Sequence, residues 1–241
     1  VIIGGVAGGA STAARLRRLD ENVEIKIFER GKYISYANCG LPYYVGNVIK
    51  ERDSLLVQTT QGMKKRFNID IYTLHEVLKI DRANKSLLIK NLKTNEIFQE
   101  NYDILVLSSG AEPIKPPIKG IDYAENVFIL RDIPDADKIK NFIETKNPKN
   151  AVVIGGGFIG IEIADSLLAR GMNVTIVEKA DQILVQLDKE MANILHKNIK
   201  DKGVDLILAD SIEEFKNNGK TLVLSSGKQI DSDLTILSIG V

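Results

Sequence analysis

Ala151-Val152-Val153-Ile154-Gly155-Gly156-Gly157-Phe158-Ile159-Gly160, followed one helix-length later by Val174-Thr175-Ile176-Val177-Glu178, decides the fold. Four apolar residues in a row suit a strand buried on both faces, and the glycines end it abruptly. From about Ile159 to Arg170 the apolar residues recur at helical spacing, with Gly171 as the stop. Val174 to Val177 is a second strand, closed by the acid Glu178. Strand, glycine turn, helix and strand make a β-α-β unit, and Gly155, Gly157 and Gly160 give it the G-x-G-x-x-G spacing. In such a turn the first glycine makes the bend, the second lets backbone approach a pyrophosphate, and the third lets helix pack on strand. The helix N-terminus presents unpaired N–H groups to the phosphates. Glu178, 18 residues after Gly160, stands where a carboxylate accepts from ribose hydroxyls.

The same module opens the chain. Val1 to Ile3 is apolar, Gly4-Gly5-Val6-Ala7-Gly8-Gly9 is the turn, and Ala10 to Leu19 is a helix with Arg15, Arg17 and Arg18 on its outer face. Val23 to Phe28 is the second strand, and Glu29 closes it 20 residues after Gly9. Gly4 and Gly9 hold the outer positions of the turn, with Val6 at the middle one, where a side chain hinders close approach to a phosphate. Between the modules, Glu76–Ile80, Ser86–Lys90 and Glu96–Gln99 alternate as antiparallel strands, and the wholly apolar run from Ile104 to Leu107 reads as a buried strand. Pro113, Pro116 and Pro117 mark a stiff crossing between domains. Leu206–Ala209, Thr221–Leu224 and Leu234–Ile239 supply later strands. The fold class is α/β: two Rossmann-like, three-layer dinucleotide-binding domains, residues 1–112 and 113–241, with an antiparallel β insertion.

Composition narrows the function classes. The 32 basic residues balance 32 acidic ones, so no net field gathers nucleic acid or an anionic membrane. No apolar stretch is long enough to span a bilayer, and the N-terminus lacks a signal-peptide layout. One cysteine, Cys39, cannot form an internal disulfide and suits a reducing, cytoplasmic setting. Nothing near His75 or His196 suggests a metal site or a catalytic triad. Both ends, at Val1 and Val241, look cut.

Cys39 lies in Ser35-Tyr36-Ala37-Asn38-Cys39-Gly40-Leu41-Pro42-Tyr43-Tyr44, soon after the first module. Asn38 is positioned to cap a helix beginning at Cys39 or Gly40, which would favour the thiolate.

Taken together, the two glycine loops, Glu29, the Ser35 to Cys39 motif, Leu107-Ser108-Ser109-Gly110-Ala111 and Thr235 to Val241 resemble the FAD-dependent pyridine nucleotide-disulfide oxidoreductases over the whole chain. The position five residues after the cysteine, which holds a second cysteine in most such disulfide reductases, is Tyr44, placing the chain in the single-cysteine branch. The resemblance is to coenzyme A-disulfide reductases, with Tyr36 for their usual phenylalanine. NADH oxidases and peroxidases, which pass the thiol through a sulfenic acid, carry a histidine in the first loop where this chain has Ala7. A persulfide or polysulfide reductase on the same scaffold is a further alternative.

What this resemblance implies is specific. The first domain would hold FAD through Gly4, Val6, Ala7, Gly8, Gly9, Glu29, Arg30, Asn38, Val77, Ser109 and Gly110, with Arg131 and Gly240 also at cofactor positions. The second would hold NADH or NADPH through Gly155, Gly157, Phe158, Ile159, Gly160, Glu162, Glu178 and Lys179. Glu178 leans this toward NADH by repelling a 2′-phosphate, and Lys179 weakens the lean. Coenzyme A would lie on Ser11, Arg15, Arg18, Ser35 and Asn38, with Cys39 as the catalytic residue. The family normally continues with the rest of the FAD domain and an interface domain that completes a homodimer, so residues 1–112 would be an incomplete FAD domain. A nucleotide-binding fragment with impaired catalysis is the non-enzymatic alternative.

Overall fold

Two parallel sheets, each centred on a strand that runs into a glycine turn, organise the chain. The structure is a computed structural model and describes residues 1–240. The chain order begins with β1 (Ile2–Ile3), α1 (Gly8–Leu19), β2 (Lys26–Glu29), a 3-10 turn over Asn38–Gly40, α2 (Leu41–Val45) and α3 (Thr60–Phe67). Next come β3 (Asp70–Thr73), β4 (His75–Asp81), β5 (Ser86–Asn91), β6 (Ile97–Asn101) and β7 (Val106–Leu107). The chain continues through β8 (Val127–Ile129), α4 (Ile133–Lys146), β9 (Asn150–Ile154), α5 (Phe158–Ala169), β10 (Asn173–Val177) and α6 (Lys189–Asp201). It ends with β11 (Asp205–Ile207), β12 (Ile212–Lys216), β13 (Thr221–Leu224), β14 (Gln229–Asp231) and β15 (Leu234–Leu237). Two compact units result: Val1–Ala37 with Arg52–Ala111, and Asn38–Glu51 with the chain from Glu112 onward.

In the first unit the parallel sheet runs β3-β2-β1-β7, with Ile2 opposite both Ile27 and Val106. Gly9, Ala10 and Ala13 form the inner face of α1, and their small side chains let it lie close on Ile2, Ile25 and Ile27. Arg17 donates to the carbonyls of Phe67 (2.8 Å) and Asn68 (3.0 Å), tying α1 to the end of α3. The antiparallel meander β4-β5-β6 contributes Leu87 and Ile89 to a second core around Phe28. The run from Ile104 to Leu107 is not buried. Only Val106–Leu107 pairs, at the sheet's edge, and Ile104 and Leu107 are 75% and 64% exposed. Apolarity marks a strand, but burial needs a neighbour on each side, and an edge strand has one.

The second unit has a five-stranded parallel sheet, β11-β10-β9-β15-β8. Ala151, Val152, Val153 and Ile154 of β9 are all buried, as a central parallel strand requires. Helix α4 is capped reciprocally: Asp132 accepts from the N–H of Asp135 (3.0 Å), whose carboxylate accepts from the N–H of Arg131 (3.2 Å). This unit also carries its own antiparallel meander, β12-β13-β14, so the single insertion read from the sequence is one of two. Asp210 pins it, accepting from the hydroxyls of Ser225 and Ser226 (both 2.6 Å) and the N–H of Ser211 (2.9 Å).

Candidate functional site

The two glycine loops make the same close contacts at their first and third glycines. In the first, Gly4 has φ +93°, and a Cβ on it would lie 2.1 Å from the Ser108 carbonyl oxygen. Gly9 packs so closely that a Cβ would lie 1.8 Å from the Gly4 oxygen. In the second, Gly155 has φ +107° with its Cβ position 2.4 Å from the Ser238 oxygen, and the Cβ position of Gly160 is 2.0 Å from the Gly155 oxygen. The first and third glycines of each loop are therefore required by the fold itself.

Gly157 is different. Its φ of −77° is open to any residue, and a Cβ there would meet nothing within 4 Å. Neither packing nor φ demands glycine at this position, whereas a pyrophosphate approaching the backbone does. The helices that follow, α1 and α5, have Ala7 and Gly157 as N-caps with no side-chain cap. Their terminal N–H groups are left for an anionic ligand. The donor set thus fits a dinucleotide phosphate at each loop.

Glu29 and Glu178 carry matching loads. Glu29 accepts from the N–H groups of Gly5 (2.7 Å) and Gly31 (2.6 Å), and Glu178 from those of Gly156 (2.6 Å) and Ala180 (2.7 Å). Each acid closes its loop onto the following turn and keeps lone pairs for ribose hydroxyls. Lys179 and Arg30 beside them are exposed.

The remaining first-unit candidates are brought together around Gly4–Gly9. Ser35, at φ +42°, donates its N–H to the Gly5 carbonyl (3.1 Å), and Ser109 and Gly110 follow β7 next to Gly4. Val6 stands at the position corresponding to Gly157. Ala7 and Gly8 are exposed at the start of α1, where Gly8 faces the Ser108 side chain. Ser11, Arg15 and Arg18 are exposed on α1 at spacing that puts them on one face, and neither arginine has a partner among the described residues. Val77 instead lies in β4, packed against the Phe28 core.

Within the second unit, Phe158 (62% exposed), Ile159 and the partly buried Glu162 line the first turn and a half of α5. Gly240, at φ +114°, follows β15 and accepts from the Ile114 N–H (3.1 Å). Arg131 precedes the α4 cap. Sequence reasoning missed Ser238, whose hydroxyl donates to the carbonyls of Ile154 and Gly155 (both 3.0 Å). The signal was present: Leu237-Ser238-Ile239-Gly240 repeats the pattern of Leu107-Ser108-Ser109-Gly110.

Cys39 is exposed, in the middle of the Asn38–Gly40 turn. Asn38 does not cap a helix there. It is the first residue of the 3-10 turn, α2 starts only at Leu41, and the side-chain Oδ1 of Asn38 is buried without a hydrogen-bond partner. Pro42 sets this boundary, since proline is favoured in the opening turn of a helix and here follows Leu41, the first residue of α2. The orphaned oxygen, one residue from the thiol, is an acceptor suited to a ligand donor.

Residues 1–241 match the pyridine nucleotide-disulphide oxidoreductase family. The chain belongs to that family. It is 35% identical to a coenzyme A disulfide reductase of Staphylococcus haemolyticus, and covers all of this chain and 53% of that protein. It is 37% identical to an NADH oxidase of Methanocaldococcus jannaschii, again over the whole chain and 54% of the relative. The crystal structure of reduced Bacillus anthracis CoADR-RHD superposes with a TM-score of 0.98 at 53% identity, over 99% of this chain and 43% of that one. The chain therefore spans about half the length of the curated relatives it matches. Membership in a family described by its pyridine nucleotide accords with two loops that each fit a dinucleotide phosphate.

Proposed function

We propose that the full-length protein reduces coenzyme A disulfide with electrons from NAD(P)H, using Cys39 as its one covalent residue. The observation that carries this reading is an exposed thiol, Cys39, with Tyr44 rather than a cysteine five residues on. A thiol without that neighbouring partner is stored as an adduct with something small. Residues 1–112 are assigned to FAD, through Gly4–Gly9 and Glu29, and residues 113–241 to the nicotinamide dinucleotide, through Gly155–Gly160 and Glu178. When bound, these cofactors supply an electron pair that ends on a disulfide.

The Cys39 thiolate attacks one sulfur of coenzyme A disulfide. The S–S bond breaks, one coenzyme A leaves as its thiolate, and the other stays bonded to Cys39. Two electrons cleave this mixed disulfide and a proton joins the departing sulfur, which returns the Cys39 thiolate and frees the second coenzyme A. Arg15 and Arg18, exposed and without a partner among the described residues, supply positive charge for the phosphates of coenzyme A. Ser11 and Ser35 add hydroxyl groups, and the unpartnered Asn38 Oδ1 accepts from an amide of the substrate.

The second reading, an NADH oxidase, is favoured by the Methanocaldococcus relative. Ala7 opposes a sulfenic acid cycle, since it leaves no imidazole in the first loop. The test is an assay of the full-length protein against coenzyme A disulfide, oxygen, peroxide and polysulfide under one NADH supply. The disulfide should give the highest rate, and Cys39→Ser should abolish it. Oxygen consumption that survives Cys39→Ser, without disulfide turnover, overturns the proposal in favour of the oxidase.

A further inference from the structure

Tyr44 is a buried phenol that the proposed chemistry does not use, on a helix too short to place itself. Helix α2 has five residues, so tertiary partners fix its position. Tyr44 is 7% exposed, and its hydroxyl donates to Oδ1 of Asp137 on α4 (2.9 Å). The Lys140 ammonium, one helical turn on, sits 4.1 Å from the Tyr44 ring centroid, within cation–π reach. It also donates to Oδ1 of Asn47 and the carbonyl of Lys50, both at 3.3 Å.

The other side of the segment rests on α5, the helix that begins at the second glycine loop. Arg170 donates to the Val45 carbonyl (3.4 Å), and a Cβ on Gly46 would lie 2.9 Å from the Ser166 Cβ. Residues Asn38–Glu51 accordingly form part of the same compact unit as the second glycine loop. The turn carrying Cys39 leads directly into this clamped helix.

We propose that Tyr44 is a positioning residue: through Asp137 and Lys140 it holds the Cys39 turn on α4 and α5, so that thiol reactivity responds to occupancy of the Gly155–Gly160 loop. This rests on Cys39 being the reactive thiol and on that loop binding the nicotinamide dinucleotide. Asp137 and Lys140 act on α2 from one helix, while Ser166 and Arg170 act from the helix whose N-terminus faces the phosphates. The helix of the loop and the helix after the thiol are thereby joined by direct packing at Gly46–Ser166 and Val45–Arg170.

After reduction with dithiothreitol and removal of the reductant, iodoacetamide alkylation read by mass on the peptide containing Cys39 reports this turn, whatever other thiols the full-length protein carries. ADP-ribose, which fills the loop without a nicotinamide ring to shield the thiol, is the probe. Saturating ADP-ribose should slow Cys39 alkylation in the full-length protein by roughly fivefold, the lower end of ordinary site-to-site coupling. Tyr44→Phe keeps the ring and removes the hydrogen bond. It should raise the basal alkylation rate and abolish the ADP-ribose effect while leaving ADP-ribose affinity unchanged. Asp137→Asn retains an acceptor oxygen and should keep the wild-type response, whereas Asp137→Ala should behave like Tyr44→Phe. An unchanged basal rate and an unchanged response in Tyr44→Phe overturn the inference. Should ADP-ribose fail to bind the wild type, the loop assignment fails instead, and the basal rate of Tyr44→Phe still decides whether Tyr44 holds the turn.

Discussion

A Cβ added at Gly160 would lie 2.0 Å from the Gly155 carbonyl oxygen, whereas one added at Gly157 would meet nothing within 4 Å. The two glycines therefore answer to different demands, and mutation separates them. Gly160→Ala should cost about 1–3 kcal/mol of stability, the usual penalty of overpacking, measured by urea unfolding. Gly157→Val should cost less stability than Gly160→Ala, only the loss of a favourable N-cap, and weaken NADH binding by roughly tenfold, or about 1.4 kcal/mol. Unchanged affinity would remove Gly157 from the phosphate site. Glu178→Ala should act on both properties at once. It leaves the N–H groups of Gly156 and Ala180 without their acceptor, at a cost of about 1–3 kcal/mol, and narrows any preference for NADH over NADPH in a binding titration. The glycine spacing and the terminal acids were legible in the sequence. The backbone hydrogen bonds that Glu29 and Glu178 accept were not, because spacing places a residue at a strand end without showing which donors surround it.

Elements repeat the same lesson. Periodicity located α1, α5 and the meander β4-β5-β6, since each carries its apolar pattern within one segment. It failed for β7, whose exposure depends on what lies beside it in the sheet, and for the turn at Cys39, where Pro42 sets the helix boundary. Two contacts within the second unit make its stability depend on pH. The N–H of Ile183 donates to Nε2 of His196 (3.2 Å), which requires a neutral ring, and burial pushes the imidazole pKa below its ordinary 6.5, with Lys200 adding to the effect. The unfolded chain then takes up this proton first as pH falls. The contribution is complete above 6.5 and is lost as pH drops through the lower folded value. Wild type should lose more stability than His196→Leu over that interval, as thermal unfolding across a pH series would record. Asp210 behaves in the same sense at lower pH. The Ser225 and Ser226 hydroxyls hold its carboxyl at about 2, against 3.8 ordinarily, so its contribution is present above 3.8 and disappears as pH falls through about 2. Asp210→Asn should be less stable than wild type at neutral pH, with the gap closing toward pH 2.

At the scale of the molecule, one chain supplies two glycine loops with the same close contacts at their outer glycines and one exposed cysteine. The duplicated module was legible from Gly4 and Gly155 onward, and so was the motif around Cys39. The grouping of Asn38–Glu51 with the second unit was not, because it depends on Tyr44, Gly46 and Arg170 meeting residues far away in sequence. The central claim is that Cys39 works through a mixed disulfide with coenzyme A, and the resting state of the thiol tests it most directly. Intact-mass and peptide measurements on full-length protein purified without reductant should show an adduct of coenzyme A mass, removed by dithiothreitol and confined to the peptide containing Cys39. A free thiol, or an oxygen-sized increment on Cys39, would contradict the account and point to sulfenic acid chemistry instead.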